Sequence, residues 1–131
     1  MKKFLFVLIL FSVVKIYAQD NDFIYVTSAK DGTDVFVKQE DEVYDTKHFW
    51  VKLTNPLKTV KNKSGKYIKT GGGYTMQFMK LDCSDKTYSA SNGVIYNSSG
   101  KVVRETFDLY NERVIPGSIM EGVYDFVCLR E

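Results

Sequence analysis

Two thiols and one imidazole, Cys83, Cys128 and His48, are the side chains of this sequence best suited to nucleophilic chemistry. A catalytic thiol needs a base within reach, so such a mechanism would have to run through His48. No Cys-x-x-Cys, no histidine pair at metal spacing, no phosphate-binding glycine loop and no Gly-x-Ser-x-Gly accompanies them. His48 stands beside Phe49 and Trp50 in a strand-like segment and reads as a surface or packing histidine. Asp20, Asp22, Glu40, Asp41 and Glu42 form acidic clusters, but their spacing fits no EF-hand loop and reads as solvated ends and turns. Carboxylate pairs for acid–base work stay open, because sequence does not show which strands meet. The chain is therefore read as a non-enzyme with no catalytic residue, no metal and no cofactor.

Charge is the more pronounced chemical feature. Residues 47–70 hold seven lysines and no acid, whereas residues 19–46 hold eight acids and two lysines. Lys58, Lys61, Lys63, Lys66 and Lys69 fall in or near turns, with Tyr67 among them. One reading is a solvated loop. The other is a binding stretch for an acidic partner, either an anionic polysaccharide or an acidic protein segment.

Residues 1–18 have the layout of a cleaved secretory signal: Lys2 and Lys3, an apolar run from Phe4 to Val14, and Ala18 ahead of QDND. The run is too short for the ~20 residues of a spanning helix and is stopped by Lys15. Position 19 is Gln, not a lipid-attachment cysteine. The expected product is soluble, exported across the inner membrane to the periplasm or the cell exterior, and has no transmembrane segment. Without Lys2, Lys3 and Lys15, fifteen basic residues face sixteen acidic ones. The basic balance of the whole sequence is thus a targeting feature, and nucleic acid is not an expected partner. Residues 19–131 suit a single domain.

Most of this domain alternates with period two and is rich in Tyr, Phe, Val and Thr, which predicts strands. FIYVTS (23–28) and TDVFVKQ (33–39) flank an Asp31-Gly32 hairpin signal. EDEVYDT reads as a polar connection, and KHFWVKLT (47–54) as a strand with Phe49, Val51 and Leu53 on one face. KNKSGK is a turn, and TGGG (70–73) an irregular or mobile break. GYTMQFMKLDC (73–83) changes phase, which predicts a bulge near Phe78-Met79 or burial on both faces. Residues 86–97 form a strand interrupted at Asn92-Gly93, and KVVRETFDLY another. In the tail, Ser118 with Glu121 is a capping box, followed by apolar residues at helical spacing. Gly122 weakens this helix or permits close packing. The predicted architecture is α+β, mainly β: an antiparallel sheet of five to seven strands carrying one C-terminal helix.

An exported domain with two cysteines pairs them. Cys83 is in phase with Met79 and Leu81, and Cys128 lies near the helix end, so a Cys83–Cys128 disulfide would staple helix to sheet. Free catalytic thiols are the competing reading.

HFWVKL, LDCSDKTY, VIYNSSGKVV and VIPGSIMEGVYDFVC, in that order, resemble the surface-adhesin protein E family of bacteria over roughly residues 47–129. The matching landmarks are Trp50, Asp82-Cys83 and Tyr88, then Tyr96 and Gly100, then Pro116-Gly117-Ser118, Tyr124 and Cys128. The resemblance implies an antiparallel sheet with a C-terminal helix pinned by the cysteine pair. It also implies an envelope-associated or secreted binding module that contacts host extracellular-matrix protein. A periplasmic structural or assembly protein sharing the domain is the alternative role.

Overall fold

The computed structural model describes residues 22–130; the expected signal peptide lies outside them. Seven strands form one antiparallel sheet: β1 (Ile24–Ser28), β2 (Asp34–Val43), β3 (Thr46–Thr54), β6 (Tyr74–Asp82), β7 (Thr87–Tyr96), β8 (Val102–Glu105) and β9 (Leu109–Arg113). Their order is β1-β2-β3-β6-β7-β8, with β9 also paired to β7. β4 (Lys58–Lys61) and β5 (Tyr67–Thr70) make a separate two-stranded hairpin. The chain then ends in helix α1 (Ile119–Cys128).

The Asp31-Gly32 signal turns β1 into β2. Gly32 takes φ +90°, and Asp31 Oδ1 accepts the Thr33 N–H at 2.9 Å. EDEVYDT is not a connection: β2 continues to Val43, and Tyr44 and Asp45 alone lead into β3 at Thr46. Cross-strand pairing extends the strands here. Lys47 pairs with Glu42, and Asp41 Oδ1 lies 2.7 Å from His48 Nδ1. Tyr44 turns the chain at φ +56°, an uncommon conformation for a residue with a side chain.

The phase change in β6 comes from apolar residues on both faces of the strand, of which only the helix-facing set is buried. β6 pairs with β3 without interruption, so Met79 and Leu81 face the helix while Met76 and Phe78 face away. The register shift falls on the other side, where Met76–Phe78 of β6 spans Val94–Ser91 of β7. The extra residue is therefore in β7, at Asn92-Gly93, with Asn92 at φ +52°. This bulge also divides the predicted strand KVVRETFDLY. β8 follows β7 at Val94–Tyr96 and β9 follows it at Thr87–Ala90. The break lies opposite the bulge, where the Thr106 N–H donates to the Gly93 carbonyl at 2.9 Å.

The core fills one face of the sheet. Val35 and Val37, Phe49 and Val51, Met79 and Leu81 meet Val123, Tyr124 and Val127 of α1. Each such side chain gains roughly 1.5–3 kcal/mol on full burial. Ser118 caps the helix, its Oγ accepting the Glu121 N–H at 3.3 Å. Glu121 Oε2 accepts the N–H of Gly117 at 2.7 Å, one residue ahead of the cap. Gly122 permits close approach to β1: a Cβ there would lie 3.2 Å from Thr27 Cγ2. Cys83 and Cys128 are joined, with Cα atoms 5.7 Å apart, and the Tyr124 hydroxyl donates to the Cys83 carbonyl at 3.1 Å. The staple between helix and sheet is therefore present. A disulfide is consistent with an oxidising compartment, and among the described residues no helix is long and apolar enough to cross a membrane.

Candidate functional site

The lysine-rich stretch leaves the main sheet as an arm. β3 and β6 pair as far as Thr54 and Tyr74. The neck is then closed by two bonds, Asn55 N–H to the Gly73 carbonyl at 2.8 Å and Gly72 N–H to the Asn55 carbonyl at 3.1 Å. The TGGG run forms this neck: residues 71–73 break regular strand structure, as the glycines led one to expect, and are held by these bonds. Gly71 takes φ +82°, and a Cβ there would meet the Pro56 carbonyl oxygen at 2.3 Å. Gly73 is buried, with no room for a side chain against the Tyr96 carbonyl.

At the tip, the sequence NKSGK makes its own turn. Asn62 Oδ1 accepts the Ser64 N–H at 3.0 Å and the Lys66 N–H at 2.9 Å. NSSGK repeats the device between β7 and β8: Asn97 Oδ1 accepts the Ser99 and Lys101 N–H groups, each at 3.0 Å. An asparagine oxygen thus serves as acceptor for backbone donors that a short turn leaves over.

The arm brings the predicted binding residues together but does not align them. Lys61, Tyr67 and Lys69 lie on one face, with Lys61 Nζ 5.9 Å from the Tyr67 ring centroid. Lys58 lies on the opposite face with Val60 and Ile68, and Lys63 and Lys66 stand in the turn. All six predicted residues are exposed, and Val60 and Ile68 are about 40% exposed. The arm is therefore wet on both faces and presents charge all round. Lys58 also acts on the adjoining β1–β2 turn. The Asp31 carboxyl is held below its usual range, chiefly by the Thr33 N–H and in smaller part by the Lys58 charge.

The remaining sequence candidates lie elsewhere. His48 sits on β3 against Phe78, ring centroids 6.1 Å apart, with its Nδ1 engaged by Asp41. Both cysteines are consumed in the disulfide. Asp22, Glu40, Asp41 and Glu42 are exposed, and among the described residues no three His, Cys, Asp or Glu side chains converge as a metal site would require. Asp20 lies outside the described residues.

A second surface was not anticipated as a site. The sheet face turned away from α1 carries Phe36, Trp50, Phe78, Tyr74 and Tyr96, none of them part of the buried core. Trp50 meets Phe78 edge-to-face at 5.3 Å, and Tyr74 stacks on Tyr96 at 4.6 Å. Lys52 Nζ lies 4.9 Å from the Tyr74 ring centroid. Among the described residues no helix or strand packs over these rings; Phe23, ahead of β1, lies against them, with its ring centroid 5.8 Å from Lys52 Nζ. The signal for this face was the phase change in β6, since a strand apolar on both sides needs a covering on both sides or exposes one.

No protein-family model, curated protein or solved structure matches the chain.

Proposed function

We propose that this protein is an exported binding module that holds an acidic partner through the β4–β5 arm. The carrying observation is the arm itself: a hairpin off the main sheet, exposed on both faces, with five lysines and no acid from Lys58 to Thr70. A two-stranded hairpin in water is marginal alone, and exposed Val60, Ile68 and Tyr67 give a partner apolar surface to cover. The partner classes that suit it are an anionic polysaccharide or an acidic segment of a host extracellular-matrix protein, the latter in keeping with the resemblance to surface-adhesin protein E. A binding role also accords with the state of the reactive groups, since the thiols are paired and His48 is tied to Asp41.

The test is binding of the oxidised protein to heparin, laminin, vitronectin and fibronectin at physiological and high salt. Binding to at least one is expected, steeply weakened by salt. Changing Lys58, Lys61, Lys63 and Lys66 to Ala should weaken it roughly tenfold or more. Salt-independent binding, or binding unchanged in the fourfold variant, would reject the arm as the contact. Binding to none would favour a periplasmic structural or assembly role.

A further inference from the structure

The open aromatic face holds a cavity of about 260 Å³. Its lining is largely apolar: Phe23 ahead of β1, Trp50 of β3, Met76 of β6, and Val94 and Tyr96 of β7. Its rim is polar, with Lys38, Glu40 and Asn92. Two of those three rim residues are placed by β-bulges. Between Gln39 and Asp41 the β2 register slips against Phe49-His48, so Glu40 is the extra residue there. Asn92 belongs to the β7 bulge and stands at φ +52°. Bulges recur where a sheet re-aims a side chain toward a ligand. Here two bulges, on opposite sides of the uninterrupted β3–β6 pair, bring polar groups to one apolar floor.

The chemistry of the rim selects the occupant. Lys38 is ion-paired with Asp22 at 3.4 Å, and Lys52 Nζ lies 5.8 Å from the centroid of the lining Phe23. With Glu40, two carboxylates face two ammonium groups around the cavity, so neither an anion nor a cation gains a net attraction. A carboxylate accepts hydrogen bonds, an ammonium donates them, and an amide does both. A ligand matching that set has groups that donate and accept, carries no charge, and has an apolar face to lay on an aromatic ring. A pyranose ring meets all three conditions: hydroxyls around its edge and C–H groups on its face. An acyl chain would leave the rim unpaired, and the volume lies below the ~300–1,000 Å³ usual for drug-sized ligands. We propose that this face is a second binding site, independent of the arm, and that it takes one sugar residue of an uncharged glycan.

Trp50 is the only tryptophan in the chain, so its emission reports this cavity without interference. The experiment titrates the oxidised protein with chitohexaose, cellohexaose and maltohexaose. A saturable change in Trp50 emission is expected with at least one of them, and it should persist in about 0.5 M NaCl, because no net charge is involved. Tyr96→Ala should weaken that affinity by roughly tenfold. Because Tyr96 also stacks on Tyr74, two gentler variants accompany it. Asn92→Gly keeps the left-handed backbone and removes the amide, and Glu40→Gln removes the acceptor charge. Each should weaken binding severalfold with an unchanged Tm. No saturable response to any of the three sugars at about 10 mM would overturn the proposal. So would a response that appears only with heparin and vanishes in salt, or one unaltered in both Asn92→Gly and Glu40→Gln.

Discussion

Tyr88 shows how a single side chain of this sheet responds to its setting. It lies on β7 across from Leu81, packed against the edge of the core. Burial pushes its phenol above the ordinary value of 10.0, and the nearby Glu112 carboxylate adds to that. A raised phenol pKa means the folded protein holds the proton more tightly than the unfolded chain. Its contribution to stability is complete below pH 10 and is lost as pH rises through the folded value, because there the unfolded chain binds fewer protons. Urea midpoints taken from about pH 8 to 11 should therefore fall faster above pH 10 in the parent than in Tyr88→Phe. Equal slopes in the two proteins would show that the hydroxyl is not buried as described. That Tyr88 stands in a strand was readable from the sequence; its neighbour Glu112 was not, because β9 was not separable from β8 in sequence.

Among the elements, the helix and its staple were the most legible. The Ser118–Glu121 cap and the apolar stripe are local signals, and local signals need no knowledge of the partner surface. The staple followed from counting cysteines. The misread elements share one physical cause. Tyr44-Asp45 carries no Gly or Asn at its left-handed position, so the β2–β3 turn was invisible. The break between β8 and β9 is imposed by a bulge in β7, a neighbour distant in sequence. Likewise the arm is composed of ordinary strand residues, and only the neck at Asn55, Gly72 and Gly73 separates it from the sheet. The staple itself can be weighed. It closes a sequence separation of 45 residues, which corresponds to about 4 kcal/mol of chain entropy removed from the unfolded state. Helix α1 has only ten residues and would be marginal without its docking. Replacing both cysteines with alanine should lower the unfolding free energy in urea by about that amount. A loss below about 1 kcal/mol would mean that helix packing alone holds the tail in place.

Across the whole molecule, charge and fold are arranged along β3. The hairpin turn at its start is flanked by Glu40, Asp41, Glu42 and Asp45, and its far end leads into the lysine arm. The core lies between, under α1, and takes nothing from the arm: none of residues 56–71 belongs to it. Stability and the proposed anionic contact are therefore separable. Asn55 and Gly72 already share a turn-closing hydrogen bond, so an Asn-Gly pair in place of residues 56–71 would convert the neck into a two-residue hairpin. That variant should keep Tm within about 4 °C of the parent, less than ~1 kcal/mol for a domain of this size. It should lose salt-sensitive binding to heparin and matrix proteins. The Trp50 response to uncharged hexasaccharides should survive, because its cavity is lined by Phe23 and by residues of β2, β3, β6 and β7 and borrows no residue from the arm. Loss of both activities together with a large drop in Tm would mean that the arm supports the sheet and that the two surfaces are one structural unit. Loss of the first alone would divide the molecule into a stable sheet with its own ligand face and a cationic arm for a second partner.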